Sequence, residues 1–252
     1  MQSIKVRNLM IGEGRPKICV PIVGRTEQDI LEEAVKLREV PADMAEWRVD
    51  WFTDAFDLGA VKEILRKLRE ILKDMPLLFT FRTRNEGGEK EIEEEDYKAL
   101  NIEASKSGYA DLIDVEVFFG KRTGELIEKI HECGCKVIAS NHDFSGTPSK
   151  DEMIRRLLHM QKLNADILKI AVMPNNRKDV LTLLSATEEI YSNLADRPVI
   201  TMSMGGLGMI SRLSGEIFGS AVTFGSAGKT SAPGQVEVYE LKNVLDMIHK
   251  SV

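Results

Sequence analysis

Short apolar segments alternate with amphipathic helical segments along the whole chain, and this alternation limits the possible folds. A strand covered on both faces is a continuous apolar run, as in parallel sheets. Eight β/α units within 252 residues match the size of a single (β/α)8 barrel, the TIM barrel. An open, doubly wound α/β sheet is the alternative. The predicted strands are residues 17–23, 45–49, 77–82, 111–117, 136–141, 166–172, 198–203 and 220–224.

The same patterns predict one domain with a short extension at its start. Residues 4–10 predict an additional strand before the turn Gly12-Glu13-Gly14, and this pair would form an N-terminal β-hairpin that closes the barrel bottom. Residues 58–75 predict the clearest helix, because apolar side chains recur at i, i+3, i+4 and i+7. Ser149 and Glu152 predict a capping box at the start of another helix. No linker or internal repeat divides the sequence, so residues 1–252 are expected to form a single barrel domain.

The composition argues against several classes of protein. Apolar residues make up 43% and charged residues 29% of the chain, as in an ordinary soluble globular protein. The formal net charge of −6 argues against a general nucleic-acid or membrane-surface binder. No apolar run approaches the ~20 residues of a membrane span, and no signal peptide is apparent, so a cytoplasmic protein is expected. Cys19, Cys133 and Cys135 lack the spacing of a zinc site and are expected to be reduced thiols.

Lys169 is unusual because it interrupts the apolar strand predicted at residues 166–172. A buried ammonium must be paired with an anion or lose its proton. A lysine without that proton is a nucleophile, which can form a Schiff base with a ketone or an aldehyde. The alternative is a lysine near the strand end whose head extends to water. The strand alone does not separate these interpretations.

Polar residues gather at the ends of the predicted strands, where a (β/α)8 barrel carries its active site. A single charge at a strand end is usually a solvated surface group, but six consecutive ends carry polar residues here and would converge on one opening. His142 alone of four histidines lies at a strand end, which makes it the candidate acid or base. The polar strand-end residues are Glu46, Arg48, Asp50, Arg82, Glu86, Asp114, Glu116, His142 and Lys169, and Met204 follows the seventh strand.

Two loops beyond the last strands contain many small residues. Gly205-Gly206-Leu207-Gly208 could hold a phosphate, although its spacing matches neither a Walker loop nor a dinucleotide-binding motif. Arg212 lies one turn further along the chain. Residues 225–235 form a loop that is rich in glycine and hydroxyl side chains and long for a β/α connection. This loop is interpreted as a mobile lid, with a disordered surface loop as the alternative.

In combination, these motifs resemble one family, the type I 3-dehydroquinate dehydratases of the shikimate pathway. The resemblance covers essentially the whole chain and depends on the order of the motifs. Pro21 departs from the pattern, because some relatives have a substrate-contacting serine there. The motifs are Glu46-Trp47-Arg48-Val49-Asp50, Phe81-Arg82-Thr83 with Glu86-Gly87-Gly88, Ser140-Asn141-His142-Asp143-Phe144, Lys169-Ile170-Ala171, Met202-Ser203-Met204-Gly205 and Ser231-Ala232-Pro233-Gly234-Gln235.

The resemblance implies a (β/α)8 barrel lyase that removes water from 3-dehydroquinate to give 3-dehydroshikimate, without a metal ion or cofactor. Lys169 would form the Schiff base, His142 would carry protons as general acid and base, and Glu86 would orient His142. Arg212 would anchor the substrate carboxylate. The resemblance also implies a homodimer, and the composition argues against nucleic acid or a membrane as partner. The remaining implied substrate contacts are Glu46, Arg48, Arg82, Met204, Ser231 and Gln235.

Three other functions fit parts of the pattern. A class I aldolase also uses a Schiff-base lysine in a barrel and would act on a small sugar or sugar phosphate. A metal-dependent enzyme would use Asp50, Asp114, Glu116 and His142 as ligands. A barrel that only binds small acids would not need Lys169 and His142 together.

Overall fold

The strands form a closed barrel preceded by a hairpin. The computed structural model describes residues 3–228 and 231–252. Strands β3 to β10 lie in chain order in one parallel sheet, and β11 extends it beyond β10. The barrel closes between β9 and β10, where the Ala221 amide donates to the Val199 carbonyl at 2.8 Å. The strands are β1 Ile4–Val6, β2 Leu9–Ile11, β3 Lys17–Ile22, β4 Met44–Arg48, β5 Leu77–Thr80, β6 Leu112–Glu116, β7 Lys136–Asp143, β8 Ile167–Val172, β9 Val199–Ser203, β10 Val222–Ser226 and β11 Val236–Glu237.

Helices connect successive strands and cover the outside of the barrel. Thr26 begins α1 with a full capping box, in which it and Asp29 satisfy each other's backbone amides. Ser149 caps α5 by accepting from the Glu152 amide, whereas the Glu152 carboxylate bonds to arginines of the same helix. The helices are α1 Glu27–Leu37, α2 Leu58–Leu72, α3 Glu94–Lys106, α4 Thr123–Glu132, α5 Lys150–Lys162, α6 Arg177–Glu189, α7 Met209–Leu213, α8 Gly215–Phe218 and α9 Val238–His249.

Two apolar layers follow from this arrangement. The larger layer lies between the strands and the surrounding helices. The smaller layer lies inside the barrel and contains Val6 and Ile11 of the hairpin together with strand residues such as Met44 and Ile167. The hairpin therefore closes the bottom of the barrel, and the predicted (β/α)8 barrel with its N-terminal hairpin is confirmed. The expectation that residues 1–252 form a single domain remains a prediction.

Several element boundaries differ from the sequence-based expectation. Residues 4–10, predicted as one strand before the turn Gly12-Glu13-Gly14, form β1, a turn and the start of β2. The helix predicted at 58–75 ends at Leu72, because Lys73 adopts a positive φ of 53° and the chain turns there. Val236 and Glu237 precede the last helix and pair with Gly225 and Ser226 as β11. These two residues are therefore part of a strand, and α9 begins directly after them.

Within the part of the chain that the structure describes, no helix is long and apolar enough to cross a membrane.

Candidate active site

All ten residues predicted for the site line one cavity at the C-terminal ends of the barrel strands. The space between these side chains, including the part open to solvent, has a volume of about 460 Å³. The ten residues come from seven separate parts of the chain, and only closure of the barrel brings them together. They are Glu46, Arg48, Arg82, Glu86, His142, Lys169, Met204, Arg212, Ser231 and Gln235.

Lys169 projects from β8 into the barrel interior, and only 3% of it is exposed. Its Nζ lies 3.2 Å from Oδ2 of Asp114 and 4.7 Å from the ring centroid of Phe224. A carboxylate and the face of an aromatic ring both stabilise a cation. The ammonium is therefore buried and paired, and the interpretation that its head extends to water is wrong.

Arg82 links the carboxylates at the centre of the site. Its Nη1 lies 2.8 Å from Glu116 and its Nη2 lies 2.9 Å from Asp114. Burial alone would lower the pKa of the Arg82 guanidinium, but Asp114 and Glu116 raise that pKa above its ordinary value. Arg82 thus neutralises buried acids while its side chain lines the cavity. The metal-dependent alternative needs these same acids as ligands, and the described residues contain no cluster of three or more side chains arranged to hold a metal ion.

His142 and Glu86 form a hydrogen-bonded pair. The Nδ1 atom of His142 lies 2.8 Å from Oε2 of Glu86, which also accepts the His142 backbone amide, and Asn141 donates to Oε1 at 2.9 Å. This geometry fixes the ring and directs Nδ1 to the carboxyl group, which leaves Nε2 for a ligand in the cavity.

Burial changes the protonation of both members of this pair. It lowers the pKa of His142 well below its ordinary value, and the positive charges of Arg82 and Lys169 lower it further. Burial also raises the pKa of Glu86 to about 8, and the nearby negative charge of Glu116 adds to this effect. The ring is consequently neutral at neutral pH, as a general base must be.

Arg212 is a buried guanidinium that faces the cavity from α7. Its Nη2 donates to the Pro233 carbonyl at 3.0 Å, and its Nε finds no hydrogen-bond partner among the described residues. Burial lowers the Arg212 pKa to about 10, and no carboxylate among the described residues raises that pKa again. A cation in this position is suited to bind an anion that enters the cavity.

Glu46 and Arg48 occupy the β4 side of the cavity. Glu46 accepts a hydrogen bond of 2.9 Å from Thr80. Asp50 binds the Arg48 guanidinium through two contacts of 2.8 Å, and Arg48 Nη1 donates to the Ser231 carbonyl at 3.3 Å. Arg48 therefore connects the barrel to the loop that covers the opening.

Residues 231–235 of the predicted lid lie across the cavity. The Gln235 side chain accepts from the Ser231 amide at 2.8 Å and donates to the Ser231 hydroxyl at 3.0 Å. The Gly205 amide donates to Pro233, and a Cβ on Gly234 would lie 2.5 Å from the Gly205 carbonyl oxygen. Only glycine permits this close approach, which also has a φ of 78°. The part of the predicted lid at residues 229 and 230 lies outside the described residues.

Several residues that complete the site were given no catalytic or substrate-binding role from the sequence, although Asp114 was considered as a metal ligand. Asp114 binds Lys169, and Ser140 donates to Asp114 at 2.6 Å. Phe144 lines the cavity and packs so closely on Gly87 that a Cβ there would lie 2.3 Å from its ring. The sequence contained a signal for Asp114 and Ser140, because each lies on a buried strand two residues before another polar residue and therefore shares its face. The aromatic contact of Phe224 with Lys169 had no such signal.

Comparison with known proteins agrees with this geometry. A family model described as type I 3-dehydroquinase matches residues 18–252. The chain belongs to the type I 3-dehydroquinase family. A curated 3-dehydroquinate dehydratase from Clostridioides difficile (strain 630) is 54% identical over 252 residues, which cover 100% of this chain and 99% of that protein. A curated 3-dehydroquinate dehydratase from Listeria monocytogenes serotype 4a (strain HCC23) is 51% identical over 251 residues, which cover 99% of each chain.

Solved structures of the type I 3-dehydroquinase family share the fold. A type I 3-dehydroquinate dehydratase from Clostridium difficile, solved with covalently modified comenic acid, has a TM-score of 0.97 at 54% identity and covers 100% of this chain and 99% of its own. A 3-dehydroquinate dehydratase from Geobacillus kaustophilus HTA426 has a TM-score of 0.96 at 39% identity, with coverage of 99% and 97%.

Proposed function

We propose that this chain is a lyase that dehydrates 3-dehydroquinate to 3-dehydroshikimate through a Schiff base on Lys169. The observation that carries this proposal is the convergence of Lys169, a neutral His142 and the guanidinium of Arg212 in one covered cavity. Membership of the type I 3-dehydroquinase family and full-length similarity to curated 3-dehydroquinate dehydratases support the same substrate.

The chemistry requires an electron sink, because the α-hydrogen of a ketone is weakly acidic and hydroxide is a poor leaving group. Condensation of Lys169 with the ketone gives an iminium, which acidifies the adjacent C–H bond. His142 then removes the α-proton and later returns a proton to the departing hydroxyl group. Such positioned acid/base help is typically worth ~10²–10⁴-fold in rate.

The remaining residues would orient the substrate. Arg212 would hold the carboxylate through two parallel hydrogen bonds, which a lysine could not reproduce. Glu86 would orient His142 through the contact to Nδ1. We propose that the other cavity-lining residues contact the substrate ring and its hydroxyl groups, namely Glu46, Arg48, Arg82, Met204, Ser231 and Gln235.

The direct test is an assay of the purified chain with 3-dehydroquinate. We expect absorbance from the enone of 3-dehydroshikimate to grow with time, and the rate to survive exhaustive treatment with a chelator. Loss of turnover in chelator that one divalent metal restores would support a metal-dependent enzyme instead. Turnover of a sugar phosphate without any reaction of 3-dehydroquinate would support the aldolase alternative, and binding without any turnover would support a barrel that only binds acids.

We expect Ser231→Ala and Gln235→Ala to raise KM and slow loop closure while imine formation persists, because both side chains complete the cavity only when the loop covers it. Proteolysis near Gly228 should slow when substrate is present. Ser145→Ala is a suitable control, since its hydroxyl bonds to Asp143 on the exposed side of the barrel opening. Equal proteolysis with and without ligand would contradict a closing loop.

We further propose that residues 1–252 act as one catalytic domain and that the protein is a cytoplasmic homodimer. The family resemblance supports the dimer, and the uninterrupted β/α alternation supports a single domain. Light scattering during gel filtration should give twice the chain mass, and thermal unfolding should show one cooperative transition. A monomer mass at micromolar concentration would contradict the dimer.

A further inference from the structure

Asp114 is a buried carboxylate in contact with the reactive nitrogen. Its Oδ2 lies 3.2 Å from Nζ of Lys169. Its Oδ1 accepts from Ser140 at 2.6 Å and lies 2.9 Å from Nη2 of Arg82. The two oxygens thus have separate partners, and Arg82 and Ser140 hold the carboxylate with one oxygen directed at Lys169. Asp114 and Ser140 are fully buried, so water does not screen the contact between Asp114 and Lys169.

The other acids around Lys169 are occupied elsewhere. Glu116 forms an ion pair with Arg82 and accepts a hydrogen bond from Thr83. Glu86 is hydrogen-bonded to His142. Glu46 accepts a hydrogen bond from Thr80. Among the described residues, Asp114 is therefore the carboxylate in contact with Nζ. The titratable groups that face Lys169 are Cys19 from β3, Glu46 and Arg48 from β4, Arg82 and Glu86 beyond β5, Asp114 and Glu116 from β6, His142 from β7 and Arg212 from α7.

Formation of the imine conserves the positive charge at this nitrogen. The ammonium and the ketone together give a protonated imine and one water molecule: a C=N bond replaces the C=O bond, and two ammonium protons leave with the ketone oxygen. The carboxylate that pairs with the ammonium can therefore pair with the iminium without moving. Burial alone would raise the pKa of Asp114, but Arg82 and Lys169 hold that pKa below its ordinary value, so the group is an anion throughout.

We propose that Asp114 is the counter-ion of the protonated Schiff base and keeps the imine nitrogen protonated during the reaction. This inference rests on the proposed function. A protonated imine accepts the electron pair of the α-C–H bond when His142 takes the proton, and a neutral enamine results. Return of that pair expels the hydroxyl group, which leaves as water with the proton from His142, and restores the iminium. A neutral imine is a much poorer acceptor in the first of these steps.

The test compares the pH dependence of kcat in the wild type, Asp114→Asn and Ser140→Ala. Asparagine keeps the size of the side chain and removes its charge, whereas Ser140→Ala disturbs the same hydrogen bonds and leaves the charge. We expect the alkaline limb of the Asp114→Asn profile to move about 1–3 pH units lower, the usual effect of an adjacent opposite charge. The alkaline limb of the Ser140→Ala profile should lie at the same pH as that of the wild type.

An unmoved alkaline limb in Asp114→Asn would overturn the counter-ion role, even if that variant melts at a lower temperature, because a purely structural partner of Arg82 affects stability alone. If the wild type neither turns over 3-dehydroquinate nor traps it, the proposed function fails, and the counter-ion role with it. Turnover by the wild type with an unmoved variant profile contradicts only the counter-ion role.

A second measurement does not depend on folding of the variant. The wild type labelled with ¹⁵N-lysine is mixed with 3-dehydroquinate, and the imine nitrogen resonance is followed with pH. We expect this nitrogen to stay protonated at least about one pH unit above the imine that the same ketone forms with butylamine in water. Equal titration of the two imines would overturn the proposal.

Discussion

Lys169→Met is expected to abolish both turnover and covalent trapping of substrate. Borohydride added during turnover of the wild type should reduce the iminium to a stable amine, so the mass should rise by one reduced adduct per chain. The adduct should map to the peptide Ile167–Met173. Methionine keeps the length and apolar character of the side chain, so the barrel should still fold around β8. Loss of the amine alone then explains the loss of both signals.

Lys136→Met is the matched control for that experiment, because Lys136 begins β7 outside the cavity and pairs with Asp166 at 3.0 Å. It should trap substrate as the wild type does. A Lys169→Met protein that still forms the adduct would contradict the assignment, and labelling of Lys229, which lies outside the described residues, would move the nucleophile to the loop after β10. Activity without an adduct on either lysine would indicate direct enolate chemistry.

His142→Ala is expected to separate binding from chemistry. The variant retains Lys169 and should still condense with the substrate, but dehydration should slow by at least ~100-fold, given the usual worth of a positioned acid/base group. Single-turnover experiments with borohydride quenching would measure the adduct and the product separately. A near-normal rate would mean that another group carries the proton, with Glu86 as the first suspect.

Two further variants serve as comparisons for the expected slow dehydration by His142→Ala. Glu86→Gln keeps the hydrogen-bonding shape beside Nδ1 and removes the carboxylate, so it should slow dehydration less than His142→Ala does. His159→Ala removes a histidine that packs against Phe118 on the outside of the barrel, and its rate should match the wild type.

Local patterns predicted the barrel and the polar residues at its strand ends, whereas the family resemblance implied the substrate contacts of Met204, Arg212, Ser231 and Gln235. Apolar runs identify buried strands, and a polar residue at the end of such a run points toward the mouth of the barrel. Arg82 and His142 were placed in this way, and both line the cavity. The hairpin was predicted, but its turn was placed wrongly. The turn lies at Arg7, which has a positive φ of 53°, rather than at Gly12-Glu13-Gly14.

The sequence could not predict which charges pair across the barrel. Asp114 lies on β6 and Lys169 on β8, and these strands are not neighbours in the sheet. Their contact crosses the interior, so it depends on the curvature of the closed sheet and on the volumes of the residues beneath. Arg82 shows the same limit: it lines the cavity as expected from its strand end, but its ion pairs with Asp114, Glu116 and Glu86 were not predicted.

The contacts of the covering loop couple its closure to the groups that would bind the substrate. The carbonyls of Ser231 and Pro233 accept hydrogen bonds from Arg48 and Arg212, the same two guanidinium groups that would bind substrate. Hydrogen bonds to charged groups contribute about 1.5–3 kcal/mol each, so these two contacts favour the closed loop, while the chain entropy regained on opening opposes them. Substrate enters through the open loop, so a smaller open fraction slows substrate binding. A tighter loop would protect the iminium better but would admit the next substrate molecule more slowly.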